Sequence, residues 1–154
     1  YDDAAVADMK KALMTAGALG MTVAPRLGVL TGAGGEQCKA DFSFLTASSV
    51  LFDAVYIPGG DESASALKGE PEASNFVDEA YKHCKAIAAS GAGVGLLARW
   101  LGEKFSEADT TGKLVAEQQG VITSRGLTGD NFAAAFIKAI ARHRHWEREL
   151  NPTG

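Results

Sequence analysis

Apolar and polar positions change rhythm several times along this chain, and each change marks an element. Val6, Met9 and Leu13 recur at helical spacing, so residues 3–15 are predicted as a helix with Asp2 and Asp3 at its positive end. The glycines between Gly17 and Gly20 stop it. Residues 21–24 then read as a short strand ended by Pro25, and residues 31–35 as a loose glycine-rich turn. Residues 41–44 alternate with period two, the mark of a half-buried strand, and residues 46–51 suit one or two helical turns. Ala54-Val55-Tyr56-Ile57 is the firmest strand, punctuated by Pro58-Gly59-Gly60. An amphipathic helix is predicted over 71–84, carried by Phe76, Val77, Ala80, Tyr81 and Cys84, with Pro71 in its first turn. Residues 103–112 are polar and weakly patterned; residues 113–116 and 121–123 read as short strands. The last helix is predicted over 129–145, with Phe132, Phe136 and Ile140 four apart and Lys138, Arg142, His143 and Arg144 toward its negative end.

Short apolar strands alternating with helices argue for an α/β fold, a three-layer sandwich around a mostly parallel sheet. The chain opens on a helix with no strand in front of it. In doubly wound sheets the first strand lies centrally, so a groove lined by unpaired backbone groups is expected, to be filled from upstream. The first residue is Tyr1 rather than Met, which suggests a chain processed, trimmed or excised from something longer. Residues 1–150 are expected to form one domain and residues 151–154 a disordered tail.

Composition narrows the function classes. A net charge of -4 with both signs interspersed offers no basic face for nucleic acid. No apolar run approaches the roughly 18 residues that span a bilayer. No secretory pattern opens the chain, and no signal indicates a compartment. The 2 cysteines, Cys38 and Cys84, make neither a disulfide framework nor a metal site. Cys84 reads as a small core hydrophobe and Cys38 as a surface thiol.

Candidate chemistry gathers at one turn. Ala86-Ile87-Ala88-Ala89 is an apolar strand, and Val94, Leu96, Leu97, Trp100 and Leu101 carry an apolar helix; between them stand Ser90, Gly91, Ala92 and Gly93. A strand-turn-helix of this kind is a nucleophile elbow, whose apex residue is exposed above the sheet beside backbone N–H groups that can hold an oxyanion. Here the apex is Gly91, expected in a backbone conformation that favours glycine. Ser90, one residue earlier, is read as structural. The glycines also imitate a dinucleotide fingerprint, but Leu96 stands where its last glycine belongs and no following strand supplies a ribose-binding acid.

Residues 52–60, the elbow segment 85–93 and Val121-Ile122-Thr123-Ser124-Arg125-Gly126 resemble, in order and spacing, the landmark segments of the ThiJ/PfpI group of the class I glutamine amidotransferase-like superfamily. That resemblance implies a flavodoxin-like domain with a pocket near Gly59, Gly60, Asp61, Ser124 and Arg125. Active members carry Cys-His-Gly at the elbow, where this chain has Gly91-Ala92-Gly93, so the resemblance implies a site without its nucleophile and adjacent histidine. Residues 40–44 and 47–60, read with the degenerate elbow and the final stretch Arg142-His143-Arg144-His145-Trp146, are similar to the C-terminal domain of large-subunit haem catalases. This second resemblance implies that haem, hydrogen peroxide decomposition and a homotetramer belong to a catalase core outside this chain. It also implies that core and neighbouring subunits are the partners. The expectation is then a non-catalytic accessory domain that stabilises the assembly. The alternatives are a holdase for unfolded polypeptides, a small-molecule module above Gly91, or a residual ThiJ/PfpI-type enzyme.

Overall fold

The computed structural model describes residues 1–105, 115–126 and 129–150. Helix α1 is Asp3–Thr15; its N-cap Asp2 accepts the Ala5 N–H at 2.9 Å, satisfying one of the donors a helix start leaves free. Strand β1 is Val23–Ala24, and a hairpin follows, β2 Val29–Thr31 and β3 Gln37–Lys39. Strand β4 is Phe42–Ser43, a 3-10 turn covers Ser49–Leu51, and β5 is Ala54–Ile57. Helices α2 Asp61–Lys68 and α3 Pro71–Lys82 lead into β6 Ala86–Ser90 and α4 Ala92–Leu101. The chain ends with β7 Ala116–Gln118, β8 Val121–Ser124, α5 Asp130–Ala141 and α6 Glu147–Leu150.

The main sheet runs β5-β6-β8-β7; β5, β6 and β8 are parallel and β7 is antiparallel to β8. Alternation along β6 divides the core. Ile87 and Ala89 face a cluster with Val77, Ala80, Val94 and Leu97 from α3 and α4, while Ala86 and Ala88 face Met9, Phe132 and Phe136 from α1 and α5. This is the three-layer, flavodoxin-like sandwich. Two pairs stand apart from it in the ladder: β1 with β4, parallel, and β2 with β3, antiparallel.

The structure corrects several sequence expectations. The last helix ends at Ala141 rather than at residue 145. His143 takes a left-handed φ of +66°, and the His145 N–H donates to Cys84 O at 2.7 Å, so the chain turns back under β6 before α6 starts. Arg142 is the C-cap residue at that helix's negative end and also pairs with Glu147 at 3.2 Å, while His143 and Arg144 lie beyond the helix. The helix of 71–84 stops at Lys82, and Cys84, with φ of +57°, redirects the chain into β6. The strands expected over 21–24 and 41–44 shorten to two residues each. The expected turn at 31–35 is the tip of the β2–β3 hairpin, held by the Asp3 carboxylate, which accepts the N–H groups of Gly34 and Glu36 at 3.0 and 3.1 Å. Helix α2 had no prediction, because Ala64 and Leu67 are its main apolar contacts with the core. The expected strand at 113–116 appears as β7 from Ala116; residues 113 and 114, most of the polar 103–112 stretch and the 151–154 tail lie outside the described residues.

Candidate functional site

Strand β6 delivers the chain to the carboxyl edge of the sheet, where ligands bind in open α/β folds. There Gly91 caps α4 with φ +50° and ψ -128°, a backbone that side chains rarely adopt. Its N–H donates to Ser124 O at 2.8 Å, tying the apex to β8. A Cβ at Gly91 meets only Gly59 Cα, at 3.4 Å, so the turn has space for a side chain while its torsion disfavours one. Gly93 is small because α4 lies close on β5: a Cβ there would stand 2.7 Å from Ile57 O.

The other predicted residues are placed as follows. Ser90 is 2% exposed; its Oγ accepts the Gly59 N–H at 3.1 Å and sits 2.8 Å from the Tyr56 hydroxyl, so it faces β5 rather than the apex. Burial pushes the Tyr56 phenol up to about 12, against the lowering effect of Ser90, which leaves it a neutral hydrogen-bonding group at ordinary pH. Gly60 caps α2 at φ +112°, and a Cβ there would lie 2.8 Å from Tyr1 Cα. Asp2 N–H donates to Gly59 O at 2.9 Å, so the backbone of Tyr1 and Asp2 crosses this junction. Ser124 is buried and Arg125 exposed, just beyond β8. Of Gly59, Gly60, Asp61, Ser124 and Arg125, only Asp61 lines the open groove of about 400 Å³ between α2 and α4, along with Ser65, Lys68, Ala92 and Arg99. That groove presents no histidine, tyrosine, cysteine or methionine, the axial ligands haem iron takes, and so does not fit haem.

All 3 histidines lie toward the opposite edge. His83 caps the end of α3 ahead of β6, beside Glu79 at 3.7 Å. His145 is fully buried and its backbone is bonded to Cys84; His143 precedes it by two residues. Apex and histidines are thus separated by the length of β6, roughly 15 Å at about 3.3 Å per residue. Proton transfer between them needs hydrogen-bond reach, which this arrangement lacks. What remains at the elbow is a set of α4 N-terminal N–H groups able to face an oxyanion, without a thiol or a base. Burial raises the Cys84 thiol pKa, which disfavours the thiolate there.

Hydropathy patterning missed a second set of buried polar residues. Lys85 is 2% exposed, yet its ammonium donates to Ser49 O and Phe52 O, both at 2.7 Å; burial lowers its pKa. Arg148 lies over the Tyr81 ring at 4.4 Å and donates to Gln119 O and Tyr81 O at 2.9 and 3.1 Å. These charges lock loops to the amino edge of the sheet. No sequence period announces them, since their partners are backbone carbonyls from distant segments.

Residues 2–149 match the family described as the C-terminal domain found in long catalases. The chain belongs to that family. Among its relatives, Catalase-2 of Bacillus subtilis is 38% identical over 129 residues, covering 83% of this chain and 16% of that protein. Catalase HPII of Mycobacterium avium is 40% identical over 128 residues, 80% of this chain and 18% of the relative. The long-catalase C-terminal domain therefore spans less than a fifth of these curated proteins. In fold it is similar to a ThiJ/PfpI domain protein from Brachyspira murdochii, with a TM-score of 0.82 and 21% identity over 92% of this chain and 91% of that one. Among the described residues no group of His, Cys, Asp and Glu is arranged to hold a metal ion, and no helix is long and apolar enough to cross a membrane.

Proposed function

We propose that this domain makes and breaks no bonds itself and serves a long catalase as an accessory domain that stabilises the assembly. The rest of such a protein holds the haem and decomposes hydrogen peroxide. The observation that carries this reading is the elbow: an apex of Gly91 and Ala92, a Ser90 hydroxyl engaged by β5, and histidines at the other edge of the sheet. The decisive measurement compares a long catalase with and without this domain. Loss of the domain is expected to lower the temperature at which turnover and tetramer are lost, with kcat at 25 °C unchanged. A fall in kcat without loss of assembly overturns the reading. So does peroxide turnover, with a Soret band, by the isolated domain mixed with haem.

A second reading, a holdase for unfolding chains, is favoured by the exposed apolar side chains. Leu19 and Leu45 are 83% and 81% exposed, and Met14, Leu27, Val29, Val50, Leu51 and Trp146 are also open. Exposed apolar side chains of this kind can bind other apolar surface. Light scattering from a heated client protein tests it. Protection should survive Cys38→Ser and Cys84→Ser, and protection no better than that of an inert protein at equimolar ratio removes the reading.

A further inference from the structure

Helix α2 is packed less completely than the helices around it. Among the described residues it is the only α-helix without a buried side chain, and only its Ala64 and Leu67 pack against the core. Its 8 residues are too few to hold a helix in water by propensity alone. It starts beside α4: the two N-caps are Gly60 and Gly91, and Gly91 lies against Gly59. From that junction the two helices wall the groove of about 400 Å³ over matching positions. Helix α2 contributes Asp61, Ala64, Ser65 and Lys68, spaced i, i+3, i+4 and i+7. Helix α4 contributes Ala92, Gly95, Leu96 and Arg99 at the same spacing, so each helix turns a single face to the groove. The middle is open, since a Cβ at Gly95 would meet nothing within 4 Å.

The ends of the groove carry opposite charge. Asp61, with Glu62 beside it, stands at the junction, and Lys68 and Arg99 stand about 10 Å further on, at about 1.5 Å of rise per residue. All four are exposed, and among the described residues none has an ion-pair partner. A groove acidic at one end and basic at the other is complementary to itself turned end for end. We infer that a second copy of this chain docks here, about a two-fold axis through the middle of the groove near Ser65 and Gly95, with the two α2 helices antiparallel. A two-fold contact is self-complementary, so every pairing in it occurs twice. Asp61 and Glu62 of each copy meet Lys68 and Arg99 of the other, and the small residues Ala64, Ser65, Ala92 and Gly95 let the helices approach to about 8–10 Å. A wholly acidic or wholly basic partner would satisfy one end and be repelled by the other. Two short helices make a contact below the standard interface size, so the copies associate weakly. The contact uses neither the elbow apex nor a catalase core.

Sedimentation equilibrium of the chain from about 10 µM to about 1 mM, a range that brackets a weak contact, tests this. The parent is expected to pass from monomer to dimer. Lys68→Glu with Arg99→Glu makes both ends of the groove acidic, and Asp61→Lys with Glu62→Lys makes both ends basic. Each of these forms should dimerise about tenfold or more weakly than the parent, because like charges now face each other. Mixed in equal amounts, the two forms should associate with one another more tightly than either does with itself. Gly95→Trp places a side chain in the groove at a helical position whose Cβ meets no neighbour, so it should fold, as circular dichroism checks, and stay monomeric. Should a reversed form fail to fold, Gly95→Trp decides. Three results overturn the inference: a parent that stays monomeric across the range, a dimer that survives Gly95→Trp, or reversed forms that fold and fail to associate when mixed.

Discussion

β5 and β6 lie side by side and are built from similar residues, Ala-Val-Tyr-Ile against Ala-Ile-Ala-Ala-Ser, yet every residue of β6 is buried and in β5 only Ile57 is. The difference comes from their neighbours. Among the described residues, β6 has a strand on each side and a helical layer on each face, whereas β5 has one strand partner and an open edge. An apolar run states that a segment suits the interior, and the assembled sheet decides whether it gets there.

The widest test of that contrast is a pair of truncations. Ile87→Ala in β6 removes a fully buried side chain from a site closed on all sides, and about 3 kcal/mol of stability should go with it. Val55→Ala in β5 should cost about half as much, because its site is already open to solvent. Urea unfolding of both variants measures the difference, and equal losses would show the two strands to be equally enclosed.

The two strand-helix junctions sharpen it. Gly60 and Gly91 both sit at positive φ, but only Gly60 is crossed by backbone, that of Tyr1 and Asp2. Gly60→Ala is expected to cost about 2–3 kcal/mol, combining torsional strain with the clash, and Gly91→Ala about 1–2 from strain alone. Gly91→Cys should fold and show no esterase or amidase turnover, since no described histidine reaches the apex.

A smaller effect links the junctions through Tyr56. Tyr56→Phe should cost about 1 kcal/mol, because Ser90 keeps its bond from Gly59 while losing the phenol. The alkaline limb carries the sign. The Tyr56 pKa is raised from 10.0 to about 12 on folding, so its contribution is whole below pH 10 and lost as pH rises toward 12. The Phe variant should lose less stability than the parent across that window in thermal unfolding at stepped pH.

The least effect concerns α3, the helix over β6. Burial alone would raise the Asp78 carboxyl pKa, but hydrogen bonds from Lys104 at 2.7 Å and Lys82 at 2.9 Å bring it below the ordinary value of 3.8. Its contribution is present above that value and disappears as pH falls through the lowered one. Asp78→Asn should therefore cost a few tenths of a kcal/mol at pH 7 and nothing in acid, as expected of a partly exposed pair.

Local chemistry alone made several elements legible. Val6, Met9 and Leu13, with Asp2 and Asp3 at the positive end, marked α1, and Ala54–Ile57 bounded by Pro58-Gly59-Gly60 marked β5, because propensity and punctuation act within a few bonds. The elbow was legible too, since a glycine between an apolar strand and an apolar helix has few other uses. The end of α5 was not: Ile140 closes its apolar spacing, the run Arg142-His143-Arg144-His145 carries no glycine or proline to stop a helix, and the bond from His145 to Cys84, some sixty positions back in the chain, holds that run outside it. Buried Lys85 and Arg148 were equally hidden, because carbonyls from remote loops satisfy them. Side-chain period and cap chemistry therefore determined the elements and the loss of the nucleophile. Which edge stays open, which charge is buried and how far the histidines stand from Gly91 depend on contacts between distant segments, and only the folded chain decided them.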